Sequence, residues 1–149
     1  TGKLRAPPQD LYEALQLQAD VILCEADGSR HHPCKAPAVH EPVLLPDSDI
    51  VLVVAGMDAL GRQLSHACQR PQLAAVLLDC SLDSVVDEQM LSALLLSEQG
   101  ARKNVGARAY YIVLNKCELL KATQQEEMLR LLVSAGMDEH RIWLRERGE

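Results

Sequence analysis

Apolar residues recur along the chain in two rhythms. Residues 11–19 (LYEALQLQA) bring Leu11, Ala14, Leu15 and Ala19 to one face at helical spacing, and Asp10 just before them is a candidate N-cap. Val21, Ile22, Leu23 and Cys24 follow as a continuous apolar run, stopped by Glu25, Ala26, Asp27 and Gly28. Such runs without polar alternation predict strands buried on both faces. Residues 50–55 (IVLVVA, stopped by Gly56) and 110–114 (YYIVL, stopped by Asn115 and Lys116) repeat the pattern, and 141–144 (RIWL) repeat it more weakly.

Between these runs the spacing turns helical. Residues 85–98 predict one helix ending before Gly100, and 119–135 predict another, with Gly136 as its C′ residue. Residues 64–78 predict helix with a break near Pro71. Strands alternating with amphipathic helices imply an α/β fold, a mostly parallel sheet with flanking helices. No repeat, low-complexity run or linker divides residues 1–149, which read as a single α/β domain.

Residues 26–48 break the rhythm, with Pro33, Pro37, Pro42 and Pro46 and no clear element. A loop this long in a compact domain marks function or a misassigned element. Ligands of open α/β sheets bind at the carboxyl ends of strands. This loop leaves such an end, as do Gly56-Met57-Asp58 and Asn115-Lys116-Cys117-Glu118.

Composition narrows the field. The chain has 149 residues, 48% hydrophobic, with a net charge of -6 from 15 basic and 21 acidic residues. That balance argues against a broad nucleic-acid or anionic-membrane surface. Nothing approaches the roughly 18 uninterrupted apolar residues of a membrane span. The aromatics are Tyr12, Tyr110, Tyr111 and Trp143, with no Phe, so the core is aliphatic and no ring is available to sandwich a base. Five cysteines, an odd number with no CxxC pair, and no signal peptide predict free thiols in a reducing, cytoplasmic setting.

Four constellations bear on chemistry. Glu25 and Asp27 stand where the first predicted strand ends, the layout of a carboxylate that holds hydrated Mg²⁺ near phosphates; a plain Asp27-Gly28 turn is the alternative. In the loop, Arg30 and Lys35 suit phosphate, while His31, His32, Cys34 and His40 are potential zinc ligands, and a merely proline-stiffened loop remains open. Lys35 beside Cys34 could lower that thiol's pKa. Asp58 is either a helix N-cap or a polar group at the site. Asn115-Lys116-Cys117-Glu118 approximates the NKxD base-recognition loop of GTPases, with Glu118 one methylene longer than the usual Asp.

A phosphate loop, GxxxxGK[ST], is missing. Thr1-Gly2-Lys3 imitates its tail, but Leu4 replaces the magnesium-binding hydroxyl, and Pro7 and Pro8 oppose the helix such a loop opens, so Lys3 is rejected as a Walker lysine. Later parts of a nucleotide site without the first predict the later part of a longer nucleotide-binding domain whose front is absent.

The run from Cys24 through Arg30 (CEADGSR), together with Lys35 through Val43 (KAPAVHEPV), resembles the YqeC family of accessory proteins for selenium-dependent molybdenum hydroxylases. Gly56 to Gly61 (GMDALG), Gln69-Arg70-Pro71 and Leu114-Asn115-Lys116 fall in the family's order, so the resemblance runs from about Ala19 to Glu118. It implies a P-loop NTPase-like fold whose GGKT-type phosphate loop lies upstream. The family carries HRP where this chain has Gln69-Arg70-Pro71, and NKxD where it has Glu118.

The leading expectation is a nucleotide-binding accessory protein for hydroxylase maturation, with Mg²⁺ and ATP or GTP and, at most, slow hydrolysis. Asp27, with Glu25, would hold the metal; Arg30 and Lys35 would face phosphates; Asn115, Lys116 and Glu118 would contact the base, with Asp58 beside them. Expected partners are the nucleotide and a molybdenum hydroxylase or its maturation factors, with no nucleic acid and no membrane. The alternatives are a non-enzymatic metal, sulfur or selenium module built on Cys34, His31, His32 and His40, and an interaction scaffold without chemistry.

Overall fold

A computed structural model describes residues 7–146; the rejected Lys3 lies outside them. Five strands and five helices follow one another as α1 (Gln9–Gln18), β1 (Cys34–Lys35), β2 (Ile50–Gly56), α2 (Leu64–Ala67), β3 (Cys68–Gln69), α3 (Pro71–Leu78), α4 (Glu88–Leu96), β4 (Ala109–Asn115), α5 (Ala122–Ser134) and β5 (Ile142–Arg145). The architecture is α/β, and every ladder is parallel: β2-β4-β5 form the main sheet and β1-β3 a two-stranded one. No helix among the described residues is long and apolar enough to cross a membrane.

The core lies on one face of the main sheet. Tyr110, Ile112 and Leu114 of β4 alternate inward, and Ile142 joins them from β5. Helices α4 and α5 cover that face with Leu91, Leu94, Met128 and Leu132, all buried. Asp87 caps α4 by accepting from the Met90 amide at 2.7 Å. Gly136, at φ +93°, lets the chain leave the end of α5 in a conformation a side chain resists. The one buried phenol in this layer, Tyr110, donates to the Leu95 carbonyl at 2.7 Å, and burial raises its pKa.

The opposite face is bare. Ile50, Leu52, Val54 and Trp143 stand about half exposed there. Tyr111 lies against Trp143 with ring centroids 5.4 Å apart. The expectation that residues 50–55 are buried on both faces is therefore corrected, because no layer of the described residues covers this side.

Two further expectations change. Residues 21–24 join no ladder; Val21 and Leu23 are 73% and 86% exposed. Continuous apolarity reports a segment that needs neighbours, and here no strand of the described residues lies beside it. Asp10 is not a cap: α1 begins at Gln9 behind Pro8 and buries no residue, so Asp10 sits within its first turn. The predicted break near Pro71 is real, since β3 and a left-handed Arg70 (φ 61°) separate α2 from α3.

Core and periphery predict opposite sensitivities. Ile112→Ala, at a fully buried position, is expected to cost about 2–5 kcal/mol in urea unfolding. Leu17→Ala, at a position 88% exposed, is expected to stay within about 0.5 kcal/mol.

Candidate functional site

Because β2 and β4 are parallel and in register from Ile50–Ala109 to Gly56–Asn115, their carboxyl ends leave the sheet side by side. After Gly56, a 3-10 turn (Met57–Ala59) buries Met57 and Ala59 and turns Asp58 outward. After Asn115, Lys116 adopts a left-handed conformation (φ 66°), its amide donating to Asn115 Oδ1 at 3.0 Å. The two turns then meet: Lys116 Nζ lies 2.8 Å from Asp58 Oδ2. Asp58 Oδ1 is buried and has no hydrogen-bond partner. The side chain of Asp58 caps nothing, so its N-cap reading is corrected. Glu118 follows in the turn Cys117–Leu119, and its side chain is solvent-facing.

Gly56 is fixed by close approach. Its amide donates to the Pro33 carbonyl at 2.8 Å. A Cβ there would run into Asp58 Oδ1 and stand 2.9 Å from Pro33 Cβ. The glycine therefore lets the 26–48 loop dock on the end of β2.

Within that loop, charges form a clasp. Lys35 Nζ is 3.0 Å from Asp27 Oδ2, 2.8 Å from Glu41 Oε2 and 3.0 Å from the Gly28 carbonyl. An ammonium has three protons to give, and these partners use all of them. Glu41 also receives both arms of Arg70, at 2.7 and 2.9 Å, and the Ala38 amide at 3.2 Å. Burial alone would raise the Glu41 carboxyl, but hydrogen bonds from Lys35, the Ala38 amide and Arg70 outweigh it and hold it down at about 2. Lys103 braces the same turn through the carbonyls of Ala38 and Val39 at 2.6 and 2.9 Å.

This geometry redistributes the roles read from sequence. Lys35 is a structural tie whose protons are already placed, so a phosphate would have to displace Asp27 or Glu41 to use it. Asp27 has one carboxylate oxygen committed to Lys35, and neither it nor exposed Glu25 ends a strand, because residues 21–24 form none. Arg30 is exposed in a left-handed turn (φ 50°) with its guanidinium unengaged by any described residue. Glu41 and Arg70, which organise the clasp, escaped the sequence reading as functional residues. They are 29 positions apart, and only their place in the HEP and QRP blocks hinted at them.

The histidines and Cys34 do not converge. No group of three or more His, Cys, Asp or Glu among the described residues could hold a metal ion. Cys34 is buried and pairs in register with Cys68 across the β1–β3 ladder. The neighbouring Cys68 thiol, followed by burial, raises the Cys34 thiol, while the same proximity lowers Cys68; Cys34 Sγ itself donates to the Ala67 carbonyl at 3.4 Å. The expectation that Lys35 activates Cys34 is thereby reversed: the ammonium points to carboxylates and the thiol lies inside. His32 Nδ1 lies 3.1 Å from the Ser29 carbonyl, bracing a turn, and His31 and His40 face solvent.

The clasp makes a pH prediction. The folded carboxyl of Glu41 sits below its ordinary value of 4.5, so its contribution is complete above about pH 4.5 and lost as pH falls toward about 2. Glu41→Gln is expected to lower stability at pH 7 by on the order of 2 kcal/mol, leaving Arg70 without its carboxylate and Lys35 with Asp27 as its remaining one. Urea titrations at pH 7 and pH 3 check this: the gap between native and variant must narrow at the lower pH.

Comparison with known proteins comes down on the same segment. The family model described as YqeC protein matches residues 1–72, which contain the whole clasp and Asp58. The uncharacterized protein YqeC of Escherichia coli K12 is 34% identical over 148 residues, 96% of this chain and 57% of that relative. The chain thus spans little more than half of the relative's length. No solved structure matches it. On the family match over residues 1–72 and an alignment that runs nearly end to end along these residues, the chain belongs to the YqeC family.

Proposed function

We propose that the corner at the carboxyl ends of β2 and β4 binds a nucleotide, ATP or GTP, with Mg²⁺, in a P-loop NTPase-like domain of which this chain is the later part. The observation that carries this is the buried, unpartnered Oδ1 of Asp58 beside Lys116, at the end of two adjacent parallel strands. Mg²⁺ needs only one or two carboxylates when phosphates and water complete its shell, so the residues fit the ion. Asp27 would be the Mg²⁺ ligand once it exchanges its Lys35 contact, and Asp58, held by Lys116, would face the base end of the nucleotide. Asn115, Lys116 and Glu118 would read the base, and unengaged Arg30 would meet phosphate. Bound Mg²⁺ would neutralise phosphate charge.

The same reading makes the protein an accessory factor in the maturation of selenium-dependent molybdenum hydroxylases, working with the hydroxylase or its maturation factors. Any hydrolysis would be slow, because among the described residues no side chain at the corner is arranged to orient an attacking water. The convergence needed for a metal, sulfur or selenium module on Cys34, His31, His32 and His40 finds no support in the geometry.

In the full-length polypeptide, ATP or GTP at about 100 times Kd, with Mg²⁺, is expected to raise Tm by roughly 5–10 °C. EDTA and Asp58→Asn should each remove most of that rise. Glu118→Asp should shift the response toward GTP. No Mg²⁺-dependent shift with either nucleotide sinks the binding reading, and failure to co-purify with a molybdenum hydroxylase or its maturation factors sinks the accessory role.

A further inference from the structure

β2 is paired with β4 along one side; on its other side the Gly56 amide, at the end, donates to the Pro33 carbonyl just before β1, and among the described residues no ladder forms along residues 50–55. Proteins blunt such edges with charge, proline or a bulge. Ile50–Gly56 (IVLVVAG) has none of these over seven residues. Across a cleft of about 870 Å³ from this edge runs the 19–29 segment, whose Val21 and Leu23 are exposed although they sit in a continuous apolar run. Its 21–24 backbone joins no ladder. The end of α4, through Leu94 and Leu95, closes the cleft on the core side. Each wall therefore has the character of a strand that lacks one neighbour: apolar side chains together with a backbone unpaired toward the gap.

We propose that this cleft receives one further β-strand, apolar and parallel to β2, supplied by polypeptide outside residues 1–149. It pairs with β2 on one side and draws residues 21–24 into the sheet on the other, giving the order 21–24, incoming strand, β2, β4, β5. The length is there to supply it: the chain spans 57% of the E. coli relative, leaving 43% of that protein outside the match. The parallel direction follows from the ladders already present, which are all parallel. The 19–29 wall stands across the edge, so a single extended segment enters where the sheet of a second folded copy would collide. The strand's carboxyl end would emerge beside Gly56. This inference stands whether or not the corner binds nucleotide.

The test compares the 149-residue chain with the full-length polypeptide that contains it. Leu23→Asp should leave Tm of the chain alone within about 1 °C, because Leu23 is exposed there, and lower Tm of the full-length protein by about 5 °C or more. Hydrogen–deuterium exchange of the unsubstituted proteins should show residues 21–24 and the outward amides of Ile50, Leu52 and Val54 protected in the full-length form and fast in the chain alone, while the β2 amides already paired with β4 are slow in both. A harmless Leu23→Asp in the full-length protein, or equal exchange at 21–24 in both forms, overturns the proposal. So does a 149-residue chain that dimerises and thereby protects β2, since the occupant is then a second copy. If the variant does not fold, the exchange comparison on the native sequences still decides.

Discussion

The parallel register of β2 with β4 is the constraint on which the rest depends. Seven aligned pairs run from Ile50–Ala109 to Gly56–Asn115 and end both strands at one level. Because the strands share a direction, the turns that leave them start side by side, and Asp58 can reach Lys116. An antiparallel pairing would have sent the two turns to opposite ends of the sheet. The ladder also aligns Tyr110, Ile112 and Leu114 toward α4 and α5, so core and polar corner are two outcomes of one alignment.

The loop docked on that corner is held by electrostatics as well as by burial of Cys34 and Ala36. One carboxylate, Glu41, meets two cations and an amide, and Lys35 extends the network to Asp27 and the Gly28 carbonyl. Partly buried charges of this kind are costly to desolvate and costly to break singly. A clasp in which each donor has a defined acceptor favours one loop conformation over the many a proline-rich segment can sample. The charged residues of this segment, which lies within the match to the YqeC family model, thus have a structural role apart from any ligand.

Sequence revealed β2 and β4 well, because a short continuous apolar run cut off by Gly56, or by Asn115-Lys116, is too brief for a buried helix; it missed β1 and β3, whose two residues each carry no apolar run and fell in stretches read as loop and helix. The same signal misled at Val21 to Cys24: apolarity says what a segment would bury and is silent on whether a neighbour is beside it. It misled at β2 for a related reason, since a strand with one covered face and a strand with two read alike when both sets of side chains are aliphatic. Asp58 was legible as polar and important in place, while its pairing with Lys116, 58 residues away, was not. The Glu41–Arg70 fork has no periodic spacing and emerges only when loop, β3 and α3 are brought together.

Trp143 is the only tryptophan of the chain and lies half exposed on the uncovered sheet face, against Tyr111. Its indole is thus an intrinsic optical gauge of that face. Whatever packs there replaces water around the ring and shifts its emission to shorter wavelength. Events confined to the helix-covered core leave that signal nearly unchanged, so an unlabelled protein distinguishes the two faces of its own sheet.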